Sequence, residues 1–141
     1  MGENPFYRLA PFIQEYIYRA GWDELRPIQV QTTSAILDTP NHVLITSGTA
    51  SGKTEAAFLP ILTDLYNRPS ATIDALYIGP LKALINNQFD RLQALLEDTD
   101  IPVQSWHGDV SQSKKQKFLK KAQGILQITP ESLEAMLMRR H

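Results

Sequence analysis

The chain has 141 residues, the length of one ordinary domain and enough to bury a core. Hydrophobic residues make up 43% and charged residues 21%, which excludes a disordered tail and a membrane protein. Fourteen basic and 15 acidic residues leave a net charge of −1, so nucleic-acid binding would need a local patch, and the absence of cysteine excludes disulfides, thiolate zinc sites and a cysteine nucleophile.

The first residues, Met1-Gly2-Glu3-Asn4-Pro5, lack the basic-then-apolar pattern of a secretory signal. No run approaches the ~18 apolar residues of a membrane span, and the default expectation is a cytoplasmic protein without a membrane partner. Leu9, Phe12, Ile13, Tyr16 and Ile17 fall at helical spacing, with Gly21 as the stop. Pro27 suits the first turn of a second helix running to about Leu37, and Asp38-Thr39-Pro40-Asn41 reads as a turn.

From there a short apolar run followed by a helical pattern recurs, the mark of a parallel α/β sheet. Val43-Leu44-Ile45-Thr46 is the first predicted strand, and it enters the loop Ser47 to Thr54. A helix carrying Ala56, Ala57, Leu59 and Leu62 follows. The second strand is Ala75 to Ile78, broken at Gly79-Pro80, with a helix from about Leu81 to Leu96. Pro102 to Trp106 and Ile125 to Ile128 are the third and fourth strands. The helices after them run from about Ser113 to Ala122 and from Pro130 to Arg140. The organisation expected is a helical region over 1–40 and four strand–loop–helix units over 41–141. In such sheets ligands bind at the carboxyl ends of strands, which directs attention to loops 47–54, 79–82, 107–111 and 129–131.

Ser51-Gly52-Lys53-Thr54 stands between an apolar run and a helix, the context that a phosphate-binding loop requires. Backbone N–H groups and the helix N-terminus would surround a β-phosphate. Lys53 would reach the β- and γ-phosphates, and the Thr54 hydroxyl would sit on Mg²⁺. Ser47 stands where the usual eight-residue pattern begins with glycine, and Ala50 where many related loops have another. A capped helix start with a solvated lysine is the plainer reading of Gly-Lys-Thr alone.

Taken together, these segments resemble the first half of a superfamily 2 helicase motor of the DEAD/DEAH type, and most closely the large helicase-related (Lhr-like) ATP-dependent helicases. Gly21-Trp22-Asp23-Glu24-Leu25-Arg26-Pro27-Ile28-Gln29 resembles the adenine-reading Q motif. Ser47 through Phe58 resembles motif I, and Gly79-Pro80-Leu81-Lys82-Ala83-Leu84 with Gln88 resembles motif Ia. His107-Gly108-Asp109 resembles the glycine-containing segment after the third strand. Ile128-Thr129-Pro130-Glu131-Ser132-Leu133 resembles motif Ib. Five segments in the right order cover nearly the whole chain.

The resemblance implies the N-terminal part of a first RecA-like domain, a parallel-sheet P-loop NTPase fold that stops before its Asp-Glu strand. It implies ATP and Mg²⁺ as ligands, held by Gln29, Gly48, Thr49, Ala50, Ser51, Gly52, Lys53 and Thr54, with Thr54 on the metal. The Gln29 amide carries the donor and acceptor that pair bidentately with adenine N6 and N7. Phe6, Tyr7 and Phe12 compete for the aromatic place beside the base, and Trp22 reads as packing. A DNA or RNA strand backbone would lie along Pro80, Lys82, Gly108, Thr129 and Glu131. Glu131 alternatively serves the helix dipole, and His107 reads as a loop residue rather than a catalyst.

Lys114, Lys115, Lys117, Lys120 and Lys121 fall where no acid occurs between Asp109 and Glu131. A solvated helix face is the favoured reading and a phosphate-steering patch the alternative. No four-residue apolar run ends in Asp-Glu, so the resemblance predicts no catalytic residue here and no hydrolysis by this piece alone. A non-catalytic P-loop scaffold is the second function considered, and a small-molecule kinase the third. The third would need neither the Q-motif-like nor the Thr-Pro-Glu-Ser segment. Because the Val43–Thr46 strand would neighbour later strands in a RecA-like sheet, the fragment is expected to self-associate through an exposed sheet edge or to have a disordered phosphate loop.

Overall fold

The computed structural model describes residues 4–48, 52–81 and 89–139. The chain divides into two compact units, Met1–Pro69 and Ser70–His141.

The first unit is helical: α1 (Pro5–Arg8), α2 (Pro11–Arg19), α3 (Pro27–Asp38) and α4 (Lys53–Asn67). Each of the first three starts with proline in its first turn, where the missing N–H costs nothing. Ile13 and Ile17, four apart on α2, are buried, as are Ala56, Leu59 and Leu62 of α4. A Schellman motif ends α2: Trp22 N–H reaches the Ile17 carbonyl and Gly21 N–H the Tyr18 carbonyl, with Gly21 at φ +72°. Thr63 is buried, donating to the Leu59 carbonyl at 2.9 Å and accepting from Ala10 N–H at 3.0 Å. A bidentate pair between Arg8 and Asp38, 2.5 and 2.9 Å, joins α1 to the end of α3. Hydrogen bonding by the guanidinium holds the Asp38 carboxyl below the usual carboxylate range.

The second unit holds the sheet. β1 (Ile73–Ile78), β2 (Val103–Trp106) and β3 (Gly124–Ile128) are parallel in the order β1-β3-β2. Every residue of the central strand β3 is buried, the state of a parallel strand covered on both faces. On one face Leu126 and Ile128 pack with Trp106, against Phe118 of α6 (Gln112–Lys120) and Leu133 and Met136 of α7 (Pro130–Met138). On the other, Tyr77, Gln127 and Ser105 stand side by side in register. α5 (Phe89–Leu95) packs on β2.

Three of the four predicted strands are therefore present, β1 beginning two residues earlier than Ala75 and including a register shift at Ile73/Ala75. The fourth is a correction. Residues 43–46 form no strand, and Val43 and Leu44 are 39% and 88% exposed. A strand is stabilised by its ladder and by cross-strand packing, and this segment has no ladder partner among the described residues. The domain is thus an α/β fold with three strand–loop–helix units where four were expected. Among the described residues no helix is long and apolar enough to cross a membrane.

Candidate functional site

Gly52 is the N-cap of α4, in the left-handed conformation at φ +82° and ψ +26°. A Cβ there would stand 2.7 Å from Gln29 Nε2 and 3.3 Å from Arg26 Cδ. Glycine is needed both for the backbone conformation and for this close approach. Lys53 and Thr54 are the first two residues of the helix, where N–H groups have no intrahelical partner and the helix dipole is positive. Lys53 Nζ donates to the Ser47 carbonyl at 2.9 Å, tying the entry of the loop to its exit. Gly48 is exposed at the entry. Thr49, Ala50 and Ser51 lie outside the described residues.

Beside this helix start is a cavity of about 340 Å³ lined by Trp22, Glu24, Arg26, Gln29, Gly52 and Glu55. That is the size range of small-ligand pockets. Gln29 is not a surface residue: it is 2% exposed. Its Oε1 accepts from Arg26 N–H at 2.9 Å, a first-turn cap for α3, while its Nε2 is the atom facing Gly52.

Trp22, read from the sequence as packing, lines this cavity and a second one of about 380 Å³, which also contains Phe6 and Tyr7. The Schellman motif fixes its backbone, and the Tyr16 ring meets it edge-on at 5.9 Å. The Phe12 ring packs on Tyr66 at 5.3 Å, and Phe6 and Tyr7 pack edge-on against each other at the same distance. Glu24 and Arg26 fall in the Q-motif-like segment and Glu55 in the motif-I-like one, but the sequence reading assigns none of them a role of its own.

Among the described residues no group of His, Asp or Glu could hold a metal ion.

The proposed strand-binding residues sit at one end of the sheet. Ile78, Ile128 and Trp106 are in register, so the loops that follow leave at the same level, the outer strands about 10 Å apart. Gly79 N–H still bonds to the Ile128 carbonyl and Thr129 N–H to the Trp106 carbonyl. Pro80, Gly108 and Glu131 are exposed there. Lys82 lies outside the described residues.

Thr129 differs from expectation. It is 4% exposed, and its hydroxyl caps α7, accepting from Ser132 N–H at 3.3 Å and donating to Ser132 Oγ at 2.9 Å. It shapes the helix start and offers no open hydroxyl. His107 behaves as a loop residue: its Nδ1 accepts from Asp109 N–H at 3.2 Å, and its carbonyl from Val110 N–H.

A glycine-capped helix with an adjoining base-sized cavity, and a parallel sheet with its loops gathered at the strand ends, define a P-loop nucleotide-binding α/β protein. The DEAD/DEAH box helicase family matches residues 26–141, and the chain belongs to that family.

Its relatives include the ATP-dependent helicase Lhr-Core of Saccharolobus solfataricus, 33% identical over 145 aligned positions, covering 92% of this chain and 16% of the relative. The Lhr-Core of Sulfolobus acidocaldarius is 40% identical over 110 positions, covering 69% and 13%. The chain thus spans about a sixth or less of these relatives. The crystal structure of the DUF1998 helicase MrfA superposes with a TM-score of 0.78 at 27% identity, covering 97% of this chain and 21% of MrfA. MrfA bound to DNA and AMPPNP shares the fold at TM-score 0.79 and 24% identity, with 97% and 18% covered.

Proposed function

We propose that this chain is the nucleotide- and nucleic-acid-binding portion of an ATP-dependent helicase or translocase. The observation that carries the reading is the cavity in which Gln29 meets Gly52 at the start of α4. The base would lie against Trp22 and the Gln29 amide, the phosphates at the N–H groups of the Gly48–Thr54 loop, and Mg²⁺ at Thr54. One DNA or RNA strand would run by its backbone along Pro80, Lys82, Gly108 and Glu131. The nucleic acid and the nucleotide analogue bound by MrfA support this assignment.

Turnover is not part of the proposal for these 141 residues, because no apolar run in them ends in the Asp-Glu pair that would complete the metal site and orient water. Self-association, the other partner considered, would run through β1 rather than residues 43–46. β1 is an edge strand with Leu76 and Ile78 51% and 48% exposed.

Titration with a fluorescent N-methylanthraniloyl ATP in Mg²⁺ tests the reading. The chain should bind it, and Lys53→Ala should weaken binding at least tenfold, about 1.4 kcal/mol. Gln29→Glu keeps the capping oxygen and removes the donor, so it should erode the preference for ATP over GTP. Equal affinity of the parent chain and Lys53→Ala would overturn the assignment.

A further inference from the structure

The structure divides the five clustered lysines into groups with different work. Lys115 Nζ stands 5.4 Å from the centre of the Trp106 ring, a cation–π contact on the core side of α6. Lys117 and Lys120 are in the last helical turn, where a cation complements the helix dipole. Lys114, Lys117 and Lys121 line one groove of about 960 Å³, bounded by the β2 edge and the loop after it. Lys114 and Lys117 are about one turn apart on α6, and Lys121 is its C-cap. All three are exposed, and none has a carboxylate partner among the described residues. Asp109 is the one acidic side chain lining the groove, so the lysines outnumber it three to one.

We infer that this groove is an auxiliary site for the phosphodiester backbone of a nucleic-acid strand, extending the strand's path from the Gly108 loop along α6. The inference rests on the nucleic-acid reading above and goes beyond its residues. Three observations choose this occupant. The groove is continuous with the proposed path, because His107 and Asp109, on either side of Gly108, line it. His107 Nδ1 accepts from Asp109 N–H, which leaves Nε2 as the ring nitrogen outside that bond. Lys114 to Lys121 span about 10 Å from the first turn of α6 to its C-cap, so the three ammonium groups can follow a strand's backbone rather than a single phosphate.

No aromatic ring is free in the groove to stack a base. Phe118, the ring nearest to it, is turned into the core, 6.2 Å from Trp106 and edge-on. Lysines without stacking platforms track phosphates and ignore sequence.

The test is fluorescence anisotropy of labelled dT20 with the 141-residue chain over a KCl series. Three single-strand phosphate contacts contribute about −2 to the log–log salt slope. The triple variant Lys114→Gln/Lys117→Gln/Lys121→Gln should therefore have a slope shallower by about 2. Lys115→Gln/Lys120→Gln should leave the slope unchanged. All five lysine heads are at the surface, and circular dichroism should show both variants folded. An unchanged slope in the triple variant, with parental binding intact, would overturn the groove and leave the helicase reading standing. Failure of the parent chain to bind dT20 at low salt would overturn both. Displacement of dT20 by poly-L-glutamate at equal charge concentration would overturn the phosphodiester assignment in favour of an acidic protein segment.

Discussion

Two apolar tetrapeptides of nearly the same composition end in opposite states. Ile125-Leu126-Gln127-Ile128 is the centre of the sheet, hydrogen-bonded on both sides and buried throughout. Val43-Leu44-Ile45-Thr46 has three β-branched residues to the other's two and still forms no strand, with Leu44 88% exposed. Local propensity is therefore no lower in the segment that stays out of the sheet. What differs is the ladder: β3 lies between β1 and β2, whereas residues 43–46 meet no strand among the described residues. β-propensity thus measures how well a residue fits an existing pleated surface rather than an inclination of the backbone. The same difference bears on function. The loops after β1, β2 and β3 are fixed by a three-strand register, while the loop after residue 46 depends on the Gly52 cap and the Lys53–Ser47 hydrogen bond.

The largest expected effect lies at the centre of the sheet. Leu126 is 1% exposed and packs with Trp106 and Ile128, so Leu126→Ala should remove its burial and leave a cavity. A loss of about 2–5 kcal/mol is expected in urea denaturation followed by circular dichroism. A loss below ~1 kcal/mol would mean that the sheet is not the rigid partner in the comparison.

Much of this was legible in the sequence, and what was not has physical causes. Proline at helix starts, Gly21 after α2 and apolar runs bounded by turns located eight of the ten elements among the described residues to within a few residues; the expected start of α5 near Leu81 leads into residues outside the described ones, and α1, a single turn, gives no periodic signal. The β1 boundary moved because a backbone ladder admits Ile73, paired with Gly124, regardless of side-chain pattern, with Asp74 at the register shift. The strand at 43–46 was misread because composition carries no information about who pairs with whom. Gln29 was recognised by its motif, but its burial comes from the α3–α4 packing, which no window around residue 29 reveals. Trp22 reads as packing in the sequence, and its ring does pack on Tyr16; that it also lines a cavity depends on the turn that ends α2. The lysine run was legible as charge alone; its division into groove, Trp106 contact and dipole complement needed the helix phase against β2.

A smaller effect is expected at the end of β3, where rigid sheet passes into functional loop. Thr129→Ala removes the cap of α7 and leaves Ser132 N–H without its acceptor. The cost should be about 1 kcal/mol, and Thr129→Ser, which retains the oxygen, should recover most of it. Binding of dT20, measured well below the unfolding transition, should change by less than twofold in Thr129→Ser. A large binding defect there with normal stability would mean that the threonine contacts the strand and that its burial in the free chain is relieved on binding.

The smallest effect is expected at the other tetrapeptide, and it sharpens the comparison most. Leu44→Ala makes the same chemical change as Leu126→Ala but deletes a side chain that water already surrounds. No transfer free energy is lost and no cavity opens, so the cost should stay within about 0.5 kcal/mol. The alanine side chain also leaves unfolded-state entropy almost unaltered. The measurement is the denaturation midpoint at two protein concentrations a hundredfold apart. Midpoints that coincide for the parent chain and Leu44→Ala at both concentrations confirm that residues 43–46 stand outside any packed interface. A loss above ~1 kcal/mol that grows with concentration would mean that a second copy covers Leu44 and supplies the ladder. By mass action, such stabilisation rises with the logarithm of protomer concentration, which separates it from packing within one chain.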